Sequence, residues 1–80
     1  MVYVLELEQS KYYIGITMNL NMRYAQHEEG SGAGWTKLFK PIRIVEVIPH
    51  ANKELENQVA LRYMDKYGKE NVRGGYHCKV

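Results

Sequence analysis

Apolar and polar positions alternate over Val2-Tyr3-Val4-Leu5-Glu6-Leu7, a period-two trend that predicts a strand with one face turned toward a core. Glu8-Gln9-Ser10 interrupts it as a polar turn, and Lys11-Tyr12-Tyr13-Ile14-Gly15-Ile16 resumes it, so the two runs together predict a β-hairpin. The pattern then changes. Thr17 to Asn21 supplies side chains that accept hydrogen bonds from the free N–H groups of a first helical turn. A helix follows through Met22-Arg23-Tyr24-Ala25-Gln26-His27-Glu28 and stops near Gly30, where Gly30-Ser31-Gly32-Ala33-Gly34 breaks regular structure before Trp35-Thr36-Lys37. After Pro41, the β-branched run Ile42-Arg43-Ile44-Val45-Glu46-Val47-Ile48 predicts a third strand. Asn52 is placed to cap a second helix from about Lys53 to Tyr67, with Leu55, Val59 and Tyr63 on one stripe, Ala60, Met64 and Tyr67 beside it, and Gly68 as its stop. The tail from Lys69 to Val80 reads as irregular. The order β-β-α-β-α predicts a small mixed α/β (α+β) domain, a three-stranded, mostly antiparallel sheet flanked by helices.

Size narrows this further. The 80 residues and 9.4 kDa leave room for a single domain over residues 1–80. A chain so short buries only about 60% of the surface it exposes when unfolded, so one modest core must carry everything. The formal net charge of +2 and pI of about 8.7 permit a phosphate-rich partner without demanding one. The single cysteine, Cys78, excludes an internal disulfide and a multi-cysteine zinc ribbon. His50, His77 and Cys78 together supply fewer than the four ligands of an ordinary structural zinc site. No apolar run approaches the roughly 18 residues that span a bilayer, and the chain opens on a strand rather than a charged leader. An intracellular, soluble protein with no membrane partner is expected. Tyrosine is the compositional outlier, with seven against one Trp and one Phe; most of these rings are expected to pack as strand and amphipathic material.

Arg23 and His27 stand four apart on the first predicted helix and project from one face. A permanent cation beside a titratable imidazole suits an anionic substrate: the guanidinium offers a planar fork of donors for phosphate oxygens, and the imidazole transfers a proton near neutral pH. Alone, such a pair is an ordinary solvated helix face. Here the helix follows the strand Tyr12-Tyr13-Ile14-Gly15, which follows the strand carrying Tyr3.

That arrangement resembles the GIY-YIG nuclease superfamily. Met1-Val2-Tyr3 sits where the GIY triplet is expected, with Met1 in place of its glycine, and Tyr13-Ile14-Gly15 is the YIG triplet. Ile16-Thr17-Met18-Asn19-Leu20 leads into Arg23 and His27, and Gly32-Ala33-Gly34-Trp35-Thr36-Lys37 with Pro41-Ile42-Arg43-Ile44-Val45 looks like the family's loop and third strand. Leu55-Glu56-Asn57 falls where the family places a metal-binding glutamate; Glu54, on a different helical face, is the competing carboxylate. Asn71-Val72-Arg73-Gly74-Gly75 is similar to a tail motif in which an asparagine helps to frame the site.

The resemblance implies a metal-dependent DNA endonuclease. It implies Tyr3, Tyr13, Arg23, His27 and Glu56 as catalytic residues, Glu56 as the metal ligand, and Gly15, Lys37 and Asn71 as substrate contacts. One carboxylate with no acidic cluster around it suits a single divalent ion completed by water and phosphate oxygens, Mg²⁺ with Mn²⁺ as a substitute. Tyr3 is implied as general base, which requires neighbouring positive charge to lower a phenol pKa of about 10; His27 as proton acceptor relayed through Tyr3 is the alternative. Lys11, Arg23, Lys37, Lys40, Arg43 and Arg73 are candidates to track a DNA backbone along one face. No sequence-reading module is visible, so specificity is expected from DNA shape, a protein partner or a further domain, with the chain acting as monomer or homodimer. The main competing reading is a non-catalytic nucleic-acid-binding module on the same scaffold, against which retention of all five expected side chains weighs; the other is a small interaction domain whose tyrosines merely pack, which predicts no divalent-metal binding and only a surface-type stability change in Glu56→Ala.

Overall fold

A computed structural model describes residues 1–77, and Cys78 lies outside them. The hairpin forms as the alternation predicts: β1 (Val2–Leu7) and β2 (Lys11–Ile16) pair antiparallel, with Tyr3 directly opposite Gly15. The polar turn between them is a short 3-10 segment in which Gln9 and Ser10 take positive φ. Met1 exchanges two hydrogen bonds with Thr17, its ammonium donating at 2.8 Å and its carbonyl accepting at 3.0 Å, and so extends the ladder past the end of both strands.

Both predicted helices start and stop where their caps were read. In α1 (Leu20–Glu29), Asn19 Oδ1 accepts from the Met22 N–H at 3.1 Å, and Gly30 closes the end. Helix α2 (Gly34–Leu38) is a single short turn out of the glycine-rich loop, which had been expected to be irregular. Trp35 anchors it, donating from Nε1 to the Tyr12 carbonyl at 3.0 Å. Strand β3 (Pro41–Ile48) pairs antiparallel with the free edge of β1, with register shifts near Val45 and Ile42 of the kind that twist an edge strand. Helix α3 (Lys53–Tyr67) begins at Asn52, whose Oδ1 accepts from the Leu55 N–H at 2.9 Å.

The tail corrects the three-strand expectation. After a second 3-10 segment, Lys69–Asn71, the three residues of β4 (Val72–Gly74) pair parallel to β2, giving a four-stranded sheet in the order β3-β1-β2-β4. Nothing local in Val-Arg-Gly asks for a strand; Val72 is drawn in because its side chain completes the core, where it is fully buried.

The sheet separates two packings. On one face Val2, Val4, Ile14 and Val72 meet Val59, Ala60 and Met64 of α3; on the other Tyr3, Leu5 and Leu7 meet Trp35, flanked by Leu20, Tyr24, Tyr13 and Phe39. Strand alternation puts Tyr3 in the second set and its neighbours Val2 and Val4 in the first. Among the described residues, no helix is long and apolar enough to cross a membrane.

Candidate acid–base site

Leu20, Tyr24 and His27 recur at helical spacing and form the sheet-facing stripe of α1, so His27 occupies a core position and is 1% exposed. A buried imidazole needs partners for both ring nitrogens. It has them. Nε2 lies 2.8 Å from the Tyr3 hydroxyl and Nδ1 lies 2.7 Å from the Thr36 hydroxyl. Thr36 donates its one proton to the Ala33 carbonyl at 3.0 Å, so its oxygen accepts from Nδ1–H, and Nε2 is left with a lone pair that accepts the Tyr3 proton. The hydrogen bonds therefore run in one direction, Tyr3 to His27 to Thr36 to Ala33.

Two glycines make room for this chain. A Cβ on Gly15 would collide with the Tyr3 phenol lying across it, and one on Gly32 would collide with His27 Nδ1. The pairing of Tyr3 with Gly15 explains why an aromatic in one strand is matched by glycine in the next. Tyr13 completes a three-ring group, its ring 5.0 Å from that of His27 and 6.4 Å from that of Tyr3.

The electrostatics follow from burial. Burial, reinforced by the guanidinium of Arg23, lowers the His27 pKa from 6.5 to about 4, so the imidazole is neutral at pH 7. Burial also raises the Tyr3 phenol above its usual range; Tyr13 and Glu56 push the same way and Arg23 pulls against them. The net direction is opposite to that expected from neighbouring positive charge. Arg23 acts with the anticipated sign, but His27 carries no charge and desolvation is the larger effect. Burial likewise raises Glu56, while the Lys53 ammonium and a hydrogen bond from the Gly75 N–H hold it down.

Tyr3, Tyr13 and His27 are thus brought into contact, with Gly15 beneath the Tyr3 phenol, and the charges of Arg23 and Glu56 act on Tyr3 from beyond that cluster. Arg23 is exposed above the buried His27, although the two share a helix face. Of the two carboxylates, Glu56 is the one whose charge reaches Tyr3; Glu54 is exposed. Among the described residues no group of three or more His, Cys, Asp and Glu gathers to hold a metal. A half-buried carboxylate with one backbone donor and spare lone pairs fits a hard ion that keeps most of its water.

Lys37 and Asn71 stand apart. The side chain of Lys37 lies beside Gly30, at the opposite end of α1 from Arg23, about 10 Å along the helix axis. Asn71 Oδ1 accepts from Lys11 Nζ at 2.6 Å and its Nδ2 donates to the Tyr67 carbonyl at 2.7 Å, which ties α3 to the start of β4. The basic set is also divided between the faces: Arg43 pairs with Glu6 at 2.7 Å on the α3 side, whereas Lys11 and Arg73 lie over Phe39 and Trp35 on the Tyr3 side. A hollow of about 480 Å³ lined by Met64, Lys69, Glu70, Arg73, Tyr76 and His77 contains none of Tyr3, Tyr13, Arg23, His27 and Glu56 and is not this site.

Thr36 was not singled out in the sequence. It belongs to the Trp35-Thr36-Lys37 run, but no spacing rule connects a hydroxyl after a glycine loop to a histidine on the preceding helix; only the three-dimensional return of α2 onto α1 does.

A hairpin, two long helices and a buried hydroxyl–imidazole–hydroxyl chain define a small mixed α/β domain. The chain belongs to the GIY-YIG family: residues 1–72 match its catalytic domain. It is 34% identical over 65 residues to a UPF0213 protein of Cupriavidus pinatubonensis, covering 79% of this chain and 72% of the relative. A UPF0213 protein of Neisseria meningitidis is 36% identical over 63 residues, covering 76% and 69%. One of Streptococcus pneumoniae is 38% identical over 53 residues, covering 66% and 54%, so the chain spans about half the length of that relative. No solved structure matches the chain.

Proposed function

We propose that the chain is a metal-dependent DNA endonuclease that hydrolyses phosphodiester bonds at the Tyr3–His27 pair. The observation that carries the reading is the one-way hydrogen-bond chain from Tyr3 through His27 to Thr36, set beside an exposed arginine and a single carboxylate.

The phenol serves as a relay. A water attacking phosphorus gives a proton to the Tyr3 oxygen while the Tyr3 proton passes to His27 Nε2, so no free phenolate forms at a site that raises its pKa. The new P–O bond forms as the bond to the departing sugar oxygen breaks, and that oxygen takes a proton from solvent. Arg23 pairs with the non-bridging phosphate oxygens through its planar fork. Burial is the larger cause of the lowered His27 pKa; docking that anion offsets only the smaller contribution of Arg23. Glu56 is the residue to hold Mg²⁺, with Mn²⁺ as a substitute; when bound, such an ion supplies Lewis-acid stabilisation of charge on the phosphoryl group. Tyr13 borders the imidazole and acts as hydrogen-bonding partner or alternate base.

Cleavage of supercoiled, linear, single-stranded and branched DNA, with Mg²⁺, Mn²⁺ or EDTA, tests the reading directly. Wild type is expected to cut only with metal, and Glu56→Ala is expected to cut none of the panel while unfolding at close to the wild-type temperature. Binding of DNA by folded wild type without cleavage of any substrate would replace the nuclease with a nucleic-acid-binding module.

A further inference from the structure

The hydrogen-bond chain from Tyr3 ends at Thr36, and the way it ends decides how protons move in it. His27 is 1% exposed and Thr36 is fully buried, so both side chains find their partners inside the fold. A neutral imidazole carries one ring proton, and the bond made by one nitrogen settles the state of the other. On the Nδ1 side, Thr36 bonds back along its own turn to the Ala33 carbonyl, as helical hydroxyls do, and offers Nδ1 only a lone pair at 2.7 Å.

That hydroxyl is held from both sides. The N–H groups of Ser31 and Gly32 donate to the Gln26 carbonyl at 2.9 and 3.1 Å, which folds the loop back over the last turn of α1. Gly32 lets the loop pass this close to the ring, since a Cβ there would strike Nδ1. On the far side Trp35 Nε1 donates to the Tyr12 carbonyl at 3.0 Å and fixes α2 against β2. The same geometry closes the inner end of the chain, because a backbone carbonyl accepts a hydrogen bond without taking up the proton. A proton that reaches Nε2 therefore leaves by the way it came. Nε2–H returns it to the Tyr3 oxygen as that hydroxyl gives its own proton to solvent, which restores neutral imidazole and neutral phenol.

We propose that Thr36 is a positioning residue for His27: it keeps the ring proton on Nδ1, presents Nε2 to Tyr3 as the base, and closes the inner end, so that the imidazole exchanges protons with the site only through the Tyr3 hydroxyl. The proposal rests on the reading of Tyr3 and His27 as the acid–base pair. It gives the glycine-rich loop and α2 a task in that pair that no motif picked out.

The experiment uses the whole chain, with ¹⁵N-labelled histidine, as wild type, Thr36→Val and Thr36→Ser. NMR without DNA or metal reads which His27 nitrogen carries the proton, and DNA cleavage kinetics follow. Wild type and Thr36→Ser are expected to hold it on Nδ1, whereas Thr36→Val, similar in shape but without the acceptor, shifts a large share of it to Nε2. In Thr36→Val, kcat is expected to fall at least about tenfold with KM unchanged, and Thr36→Ser to recover it. The Nδ1–H of wild type is expected to exchange only on unfolding, slowing in step with the Val4 and Ile14 amides when an osmolyte stabilises the chain. A wild type protonated at Nε2, or a folded Thr36→Val that keeps the proton wholly on Nδ1, overturns the proposal. Nδ1–H exchange that ignores the osmolyte overturns the closed end, and an unchanged kcat in a Thr36→Val whose proton has moved overturns the positioning role. Should wild type cut no DNA, the nuclease reading falls by itself; the ring spectrum, which needs no substrate, still decides whether Thr36 sets the tautomer.

Discussion

Removing the Tyr3 hydroxyl leaves His27 Nε2 as a buried acceptor without its donor, a defect that costs about 1–3 kcal/mol. Tyr3→Phe is therefore expected to lower the urea midpoint modestly while reducing cleavage by at least about 10²-fold, the usual scale for a lost acid–base group. A fall in activity no larger than the unfolded fraction explains would remove Tyr3 from the chemistry. His27 carries a second expectation with a definite sign. Its pKa is about 4 in the folded chain against 6.5 as its ordinary value, so between those pH values the unfolded chain binds the additional proton. The stabilisation is fully present above about pH 6.5 and is lost as the pH falls toward 4, about 3 kcal/mol in all. Urea unfolding at pH 7, 5.5 and 4 should show a steeper acid loss for wild type than for His27→Gln, and parallel profiles would mean that the imidazole is not held neutral by the fold.

At the scale of elements, the site depends on where helices begin. Asn52 caps α3 one turn before Glu56, and the acidic residues Glu54 and Glu56 occupy that first turn, where the helix dipole favours them. Asn52→Ala is expected to destabilise the chain by about 1 kcal/mol, and Asn52→Asp to restore most of it, as measured by thermal unfolding. Helix α1 is different in kind. It places one fully buried side chain, His27, against the sheet and leaves Arg23 in solvent, so it acts as a bracket that holds one group down and another up. The short α2 contributes through Thr36 and Trp35, which lock it to α1 and to β2 respectively.

At the scale of the molecule, charge is distributed by face rather than by sum. A net charge of +2 does not by itself bind a polyanion tightly, but Arg23 stands exposed on the Tyr3 side of the sheet, while Arg43 and Arg62 are tied to Glu6 and Glu46. DNA binding in EDTA is expected to weaken with salt, and Arg23→Ala to reduce the magnitude of the log–log slope by about 0.9. Arg43→Ala should leave the slope as it is. Equal effects of the two substitutions would show that the duplex does not lie along the Tyr3 face.

The hairpin, both long helices with their asparagine caps and the third strand were legible in the chain, because each rests on a short-range rule: alternation of two, helical spacing or a capping side chain. The depth of a side chain was not. Arg23 and His27 read as equals on one helix face, yet one is in water and the other in the core, and the reversal of the expected direction for the Tyr3 phenol follows from that burial. Nor was β4 legible, since three residues ending in glycine acquire strand geometry only by pairing with β2 and filling a gap with Val72. Asn71 shows the same limit from the other side: its bonds to Lys11 and Tyr67 cross 60 and 4 residues, and spacing alone did not reveal that both ends of its amide are engaged in tying the tail down. Local hydrogen bonding and hydrophobic period are written along the chain, whereas burial, and the charge state that burial imposes, belongs to contacts between residues far apart in it.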